Sequence, residues 1–124
     1  MIEHSPTAIL RRAAKNVERL LMSHAKQMDI TPNLLRVILA LHECPGMTAA
    51  EIGRRLGFDR ETNRYVIRVL TERKLISRTA SERDTKAMCN TLTAKGKKIA
   101  ERGLVIHSEI DGRVAKIIAI SKLS

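Results

Sequence analysis

Residues 48–70, TAAEIGRRLGFDRETNRYVIRVL, carry the start and stop signals of two helices joined by a very short turn. Thr48 and Glu51 have the spacing of a capping box, which predicts a short helix that begins after Thr48. Gly57 can adopt the left-handed conformation that ends a helix, and Asp59 can cap the next helix two residues later. Because helices joined by so tight a turn cannot be collinear, the stretch predicts a helix-turn-helix.

The second helix of this pair, predicted over about residues 60–74, has an arginine every four residues on its outer face. Arginine can bind guanine O6 and N7 through two hydrogen bonds, and glutamate can accept one from the cytosine amine. We therefore expect this helix to read DNA bases, with Arg64 as the main base contact. The alternative is a solvated helix face whose arginines pair with Glu61 and Glu72. The predicted DNA-binding residues of the helix are Arg60, Glu61, Arg64, Tyr65 and Arg68.

After Ile76 the chain changes to short alternating runs rich in Thr and Ser, which predict a two-stranded hairpin with a charged tip. Cationic side chains there can reach phosphates or the minor groove. A carboxylate cannot favour a phosphate, so we expect Asp84 to orient Arg83 or Lys86. The predicted DNA-binding residues of the hairpin are Arg78, Arg83, Asp84 and Lys86. A plain charged turn is the alternative reading of this hairpin.

Two more helices are predicted on the N-terminal side of this core. Ser5-Pro6 and Thr31-Pro32 each combine a capping residue with proline at the first helical position. The first helix is predicted over about residues 5–28, and the second is strongly apolar. Thr31 and Thr48 lie at predicted helix N-termini, where neighbouring amides can bind a phosphate, and capping alone is the alternative role.

A long C-terminal helix is predicted over about residues 94–122, with Thr93 as its cap. It would extend over roughly 42 Å, and we expect Gly103 or Gly112 to bend or split it. So long an apolar stripe exceeds what one small domain can cover, so a second copy of the chain is expected to bury part of it. The predicted dimer interface comprises Ile9, Val17, Ile106, Ile110, Val114 and Ile117.

The amino-acid composition of the chain limits the kind of partner that it can bind. The 124 residues fit one domain, which we predict over residues 1–124 with a DNA-binding core at about 31–93. One Phe, one Tyr and no Trp leave few rings on which unpaired bases could stack, so a duplex is expected rather than a single strand. The formal net charge of +10 favours a polyanion, because binding releases condensed counterions. A basic protein without such a partner is the alternative.

Other kinds of site find little support in the sequence. No nucleophile motif or phosphate loop is present, so we expect no enzyme activity and no cofactor. Cys44 and Cys89 suit neither a disulfide framework nor a four-ligand zinc site, so we expect two buried, reduced thiols and no metal. Residues 1–10 lack a signal-peptide pattern, and no segment is apolar enough to span a membrane. The protein is therefore expected to be cytoplasmic, with no membrane partner.

The order helix, tight turn, helix and basic hairpin is that of a winged helix-turn-helix, mainly α with a small β-hairpin wing. Several short motifs between residues 31 and 96 occur together in this order. They are Thr48-Ala49-Ala50-Glu51-Ile52-Gly53, Leu56-Gly57, Asp59-Arg60-Glu61-Thr62, Leu70, Leu75-Ile76-Ser77-Arg78, Asp84-Thr85-Lys86 and Leu92-Thr93-Ala94-Lys95-Gly96. In combination they resemble the MarR family of bacterial and archaeal transcriptional regulators. Two positions depart from the family pattern, because Lys74 replaces a common glycine and Lys86 replaces the usual arginine of the wing.

The resemblance implies a homodimer, held by the N- and C-terminal helices, that binds a pseudo-palindromic operator and usually represses. In many members, small phenolic or other ligands, or thiol oxidation, release the DNA. We therefore predict a sequence-specific DNA-binding regulator of transcription, and the sequence gives neither the existence nor the identity of a small-molecule effector. The alternatives are a winged-helix module for protein assembly and a DNA binder of replication or plasmid partition.

Overall fold

The computed structural model describes residues 4–82 and 87–123, except for the side chains of 117 and 120–123. This part of the chain forms five helices and a small antiparallel sheet. The elements are α1 (Pro6–Gln27), α2 (Pro32–Glu43), β1 (Met47–Thr48), α3 (Ala49–Leu56), α4 (Arg60–Glu72), β2 (Ile76–Ala80), β3 (Met88–Leu92) and α5 (Ala94–Leu123). The predicted class, mainly α with a small β wing, is confirmed.

The four predicted capping residues begin α1 to α4. In each case the side-chain oxygen accepts a hydrogen bond from the backbone amide three residues later, at 2.7–3.3 Å. This bond satisfies one of the amides that have no partner within the first helical turn. The pairs are Ser5 with Ala8, Thr31 with Leu34, Thr48 with Glu51, and Asp59 with Thr62. The helix starts predicted from local sequence are therefore confirmed.

The capping box at Thr48 differs in one detail from the usual pattern. The Glu51 side chain is expected to accept from the backbone amide of Thr48. Instead, Glu51 Oε1 accepts from the Thr48 hydroxyl at 3.2 Å. The backbone of Thr48 also belongs to β1, where its partner across the sheet is Cys89 of β3.

Helix α4 ends at Glu72, two residues before its predicted end at Lys74. Lys74 has a φ of +59°, the left-handed conformation that favours glycine, so the chain turns here without the glycine that is common in the family. Two contacts hold this turn. The Leu75 amide donates to the Leu70 carbonyl at 2.9 Å, and the Thr93 hydroxyl donates to the Lys74 carbonyl at 2.7 Å.

The sheet has three strands in the order β1-β3-β2, so the prediction of a two-stranded hairpin was incomplete. Strand β1 has only two residues, which is too short to show the alternation that predicts a strand. Asn90 of β3 is completely buried, and its side-chain amide donates to the Met47 carbonyl at 3.0 Å. Asn90 therefore ties the hairpin to the strand that leads into α3.

Helix α2 lies at the centre of the core, with six of its twelve residues buried. Helix α5 packs closely against it, because a Cβ added at Gly103 would lie only 2.9 Å from Leu35 Cδ1. The predicted split at Gly103 or Gly112 was wrong, since α5 is one helix of 30 residues, and a bend at either glycine stays a prediction. Gly103 allows close packing against α2, and nothing lies within 4 Å of a Cβ placed at Gly112.

Candidate nucleic-acid interface

The packing of α3 against α4 fixes the orientation of the predicted DNA-reading helix. Asn63 of α4 donates from Nδ2 to the carbonyl of Ala49, the first residue of α3, at 2.9 Å. Its amide fits because position 53 is glycine, where a Cβ would lie 3.0 Å from Asn63 Nδ2. Gly57 has a φ of +71°, as predicted for the turn that joins the helices. The two helices are thus held by side-chain packing as well as by a short turn.

The predicted arginine stripe is exposed along α4 and faces a cleft beside the sheet. The cleft has a volume of about 540 Å³ and is also lined by Arg78 of β2. The Arg78 Nε donates to Asn90 Oδ1 at 3.0 Å, so buried Asn90 orients this guanidinium. The three arginines of the stripe are Arg60, Arg64 and Arg68. The fold therefore brings together four cations that are up to 18 positions apart along the chain.

These four arginines have no acidic partner in the described part of the chain. Within residues 4–82 and 87–123, no carboxylate lies within 4.0 Å of their guanidinium groups. The pairing with Glu61 and Glu72 that a merely solvated face would favour is thus not formed in the described part of the chain. Arg68 instead lies over the ring of Tyr65, with Cζ 5.5 Å from the ring centroid. The stripe keeps its positive charge available to an external anion.

Glu61 and Tyr65 lie on a different side of α4 from the main cleft. Both line a smaller cleft with Thr31, at the N-terminus of α2. Tyr65 is half exposed. The predicted residues of the helix thus form two neighbouring groups, one beside the sheet and one beside the start of α2.

The N-cap residue of α4, Asp59, has a carboxyl group whose pKa is lowered. The Thr62 amide donates to Asp59 Oδ1 at 2.7 Å, and this hydrogen bond is the main reason that the pKa of the Asp59 carboxyl lies below its usual value. Asp59 is exposed, so solvent moderates the interaction. The charge also stabilises the positive end of the helix dipole.

The two threonines predicted to contact phosphates act as caps in this structure. Thr31 is exposed and accepts from the Leu34 amide at 3.3 Å. The Thr48 hydroxyl both accepts from the Glu51 amide and donates to the Glu51 side chain. Their contacts to phosphate stay predictions.

The tip of the predicted wing lies outside the described residues. This applies to Arg83, Asp84 and Lys86. The two strands that lead to the tip are described, and the Ser81 amide donates to the Ala87 carbonyl at 3.0 Å. Arg78 is the one predicted wing residue whose contacts the structure describes.

The predicted dimer residues differ in their accessibility. Ile9 is exposed, whereas Val17, Ile106 and Val114 are half-buried. Ile110 is already buried within the single chain, so a charge placed there would be buried with or without a second copy. Ile117 is outside the described side chains. Exposed apolar side chains that the prediction missed are Leu10, Met22, Leu104, Val105 and Ile118.

Both cysteines are free and half-buried, less enclosed than the sequence predicted. Arg55 donates from Nη1 to Cys44 Sγ at 3.0 Å and pairs with Glu43 at 2.9 Å. The pKa of Arg55 is raised above its usual value, first by the hydrogen bond to Cys44 and then by the nearby charges. In the described residues, no three His, Cys, Asp or Glu side chains are grouped as a metal site would require.

One contact behind the helix-turn-helix left no signal in the sequence. Arg36 of α2 donates from Nη2 to the carbonyl of Leu56 at 2.9 Å, and its Cζ lies 5.0 Å from the centroid of the Phe58 ring. These partners are 20 and 22 positions away, and local periodicity cannot report so distant a contact. Arg36 thus connects the core helix to the turn before α4.

Comparison of the sequence with models of protein families finds a match over the segment that contains this interface. Residues 28–87, which include α2 to α4 and most of the wing, match the family model described as "MarR family". Residues 28–87, just under half of the chain, are similar to the MarR family. The resemblance predicted from the sequence motifs is therefore confirmed for this segment. No helix among the described residues is both long enough and apolar enough to cross a membrane.

Curated relatives that match part of the chain are named as transcriptional repressors. The HTH-type transcriptional repressor Rv2887 of Mycobacterium tuberculosis is 30% identical over 74 residues, which are 60% of this chain and 53% of that protein. The chain thus matches about half the length of this relative.

Solved structures of MarR proteins share the fold. A MepR–DNA complex from Staphylococcus aureus has a TM-score of 0.79 and 23% identity, covering 92% of this chain and 85% of that chain. Rv2887 in complex with salicylic acid has a TM-score of 0.68 and 23% identity, with the same coverage. Both comparisons support the winged helix-turn-helix architecture.

Proposed function

We propose that this protein binds double-stranded DNA as a homodimer and represses transcription from a pseudo-palindromic operator. The main support for the proposal is the cleft in which three arginines of α4 and Arg78 of β2 lie together, with no acidic partner among the residues that the structure describes. Four cations along one groove suit the regular spacing of phosphates and base edges in a duplex. The relatives named as repressors support the same function.

In the proposed complex, α4 enters the major groove. Its 13 residues extend over about 20 Å, which is enough to place the stripe against several base pairs. Arg64 is central in the stripe and would bind a guanine through two hydrogen bonds. Arg78, and Arg83 and Lys86 at the tip, would contact phosphates or the minor groove.

A second copy of the chain would supply the other half of the binding site. The exposed Leu10 of α1 and Ile118 of α5 support this part of the proposal, because water would leave them on association. In such dimers two recognition helices lie about 34 Å apart and occupy successive major grooves. The operator would then be an inverted repeat.

A binding titration tests the proposal against its rivals. We expect the protein to bind a duplex more tightly than a single strand of the same length, and we expect log K to fall linearly with log salt concentration. If the protein shows no affinity for a duplex and associates with other proteins in a way that does not depend on salt, an assembly module would be favoured instead. Duplex binding without sequence preference would favour a role in replication or partition.

Control by a small ligand is a second part of the proposal. A cleft of about 610 Å³, open to solvent, lies behind the helix-turn-helix and is lined mainly by apolar side chains of α1, α2 and α5. Arg36, Arg55 and His107 provide polar groups at its edge. Salicylic acid, bound by the relative Rv2887, is a suitable first probe. We expect it to weaken duplex binding, whereas unchanged affinity at millimolar salicylate would contradict regulation by this ligand.

A further inference from the structure

Arg36 makes two contacts with the segment that joins α3 to α4. Its Nη2 donates to the carbonyl of Leu56, the last residue of α3, at 2.9 Å. Its guanidinium also lies over Phe58, with Cζ 5.0 Å from the ring centroid. Phe58 immediately precedes the Asp59 cap of α4. One side chain of the core helix thus contacts both ends of the turn.

We infer that Arg36 is a positioning residue, which sets the orientation of α4 for specific DNA recognition. The inference rests on the proposed function. The last carbonyls of a helix have no partner within the helix, and its C-terminus carries partial negative charge. A cation that binds the Leu56 carbonyl therefore fixes the end of α3. The contact with Phe58 fixes the first residues on the other side of Gly57.

Arg36 lies in a different cleft from the candidate DNA groove. It lines the cleft behind the helix-turn-helix with Leu39 and Leu104, whereas the arginines of α4 line the cleft beside the sheet. Its hydrogen-bond partner is a backbone carbonyl, and no carboxylate among the described residues lies within 4.0 Å of it. Its influence on DNA therefore passes through the turn and not through a phosphate.

The two contacts require arginine. A planar guanidinium can lie over a ring and donate in its own plane to a carbonyl at the same time, which a lysine ammonium cannot do. Arg36→Lys retains the charge and most of the chain length but loses this combination. It therefore separates the geometry of the side chain from its charge.

The experiment compares Arg36→Lys and Arg36→Gln with wild-type protein on an operator duplex and a random duplex. The active fraction of each preparation is measured by stoichiometric titration, so that loss of folded protein is not counted as loss of affinity. Arg113→Gln is the matched control, because Arg113 is an exposed arginine on α5, a helix that bears none of the predicted base or phosphate contacts.

We expect both Arg36 variants to lose operator affinity by about tenfold, since a hydrogen bond to a charged group is lost and the helix is misplaced. Affinity for random duplex and the salt slope of Arg36→Lys should stay at the wild-type values, because phosphate contacts do not depend on base register. Unchanged operator affinity of both variants would overturn the inference. Equal losses on the two duplexes, or a slope of Arg36→Gln shallower by about 0.9, would overturn it in favour of a phosphate contact.

A second readout does not depend on DNA. The Phe58 amide donates to the Gly53 carbonyl at 3.0 Å, and its hydrogen exchange reports the order of the turn. We expect faster exchange at Phe58 in Arg36→Lys than in wild type, with unchanged exchange in α5. Identical exchange in the two proteins would overturn the positioning role. If Phe58 exchanges faster in Arg36→Lys but the wild-type protein shows no preference for duplex DNA, the proposed function alone would be overturned.

Discussion

Arg64 is the residue on which sequence-specific binding depends most in this account. It lies in the middle of the exposed stripe and lines the same cleft as Arg78. Arg64→Ala should reduce operator affinity by about 1 to 3 kcal/mol, the value of a bidentate contact to guanine, and random-duplex affinity by much less. Titration of both duplexes measures the difference. Equal losses on operator and random DNA would contradict base reading by Arg64.

Asp59 links the stability of the protein to pH. Its lowered pKa means that the charged carboxylate stabilises the folded state, most of all above the usual pKa of an aspartate. That stabilisation should be lost as the pH falls through the lowered pKa. In Asp59→Asn the side chain still caps the helix but does not titrate.

Urea unfolding of wild type and Asp59→Asn between pH 7 and pH 3 checks this prediction. The stability difference in favour of wild type should shrink as the pH falls. A difference that is constant over this range would show that the charge of Asp59 contributes nothing.

Lys74 stores backbone strain at the end of α4. A residue with a side chain at a φ of +59° is less stable than glycine there. Lys74→Gly should therefore raise the free energy of unfolding by about 1 kcal/mol. Lys95→Gly provides a contrast, because Lys95 lies in the first turn of α5, where glycine is unfavourable. If urea unfolding shows that Lys74→Gly is less stable than wild type, the strain at Lys74 would be contradicted.

At the scale of elements, the sheet positions part of the proposed DNA-binding surface. Buried Asn90 bonds both the Met47 carbonyl of β1 and the Arg78 guanidinium of β2. Asn90→Ala should lower the free energy of unfolding by about 1 to 3 kcal/mol, because buried polar partners lose their bonds. It should also weaken duplex binding, since Arg78 is no longer oriented. Thermal unfolding and titration test both effects, and normal stability would contradict the role of Asn90.

Local signals predicted the helices of this fold well. Capping residues mark the starts of α1 to α4, with proline after the cap in α1 and α2, and each start is found where the signal lies. The end of α4 was less predictable, because Lys74 adopts the conformation of a glycine under contacts from Thr93 and Leu70. Those contacts come from tertiary structure and leave no local pattern.

The other features that the sequence could not predict depend on contacts between residues that are far apart along the chain. Strand β1 exists because Met47 and Thr48 meet β3, more than 40 positions later. The arginine stripe was evident from its spacing, but its shared cleft with Arg78 depends on Asn90. The contact between Arg36 and the turn is similarly a product of helix packing.

For the whole molecule, the account depends on a dimer that places two stripes on one duplex. Leu10→Asp should dissociate this dimer, because a charge would be buried without a partner at an exposed apolar position of α1. Operator affinity should fall with it, since two half-sites are no longer bound together. Asn16→Asp adds the same charge at an exposed position of α1 and is the control. A wild-type mass of Leu10→Asp in light scattering would contradict this interface.

The central claim is that a dimer of this chain reads a specific sequence in double-stranded DNA. The most direct measurement is selection from a pool of random duplexes by the purified protein at two salt concentrations, with the mass of the protein measured by light scattering. We expect an enriched inverted repeat with half-sites about one helical turn apart, bound by a dimer and weakened by salt. Recovery of no preferred sequence, with weak or salt-insensitive binding, would contradict it.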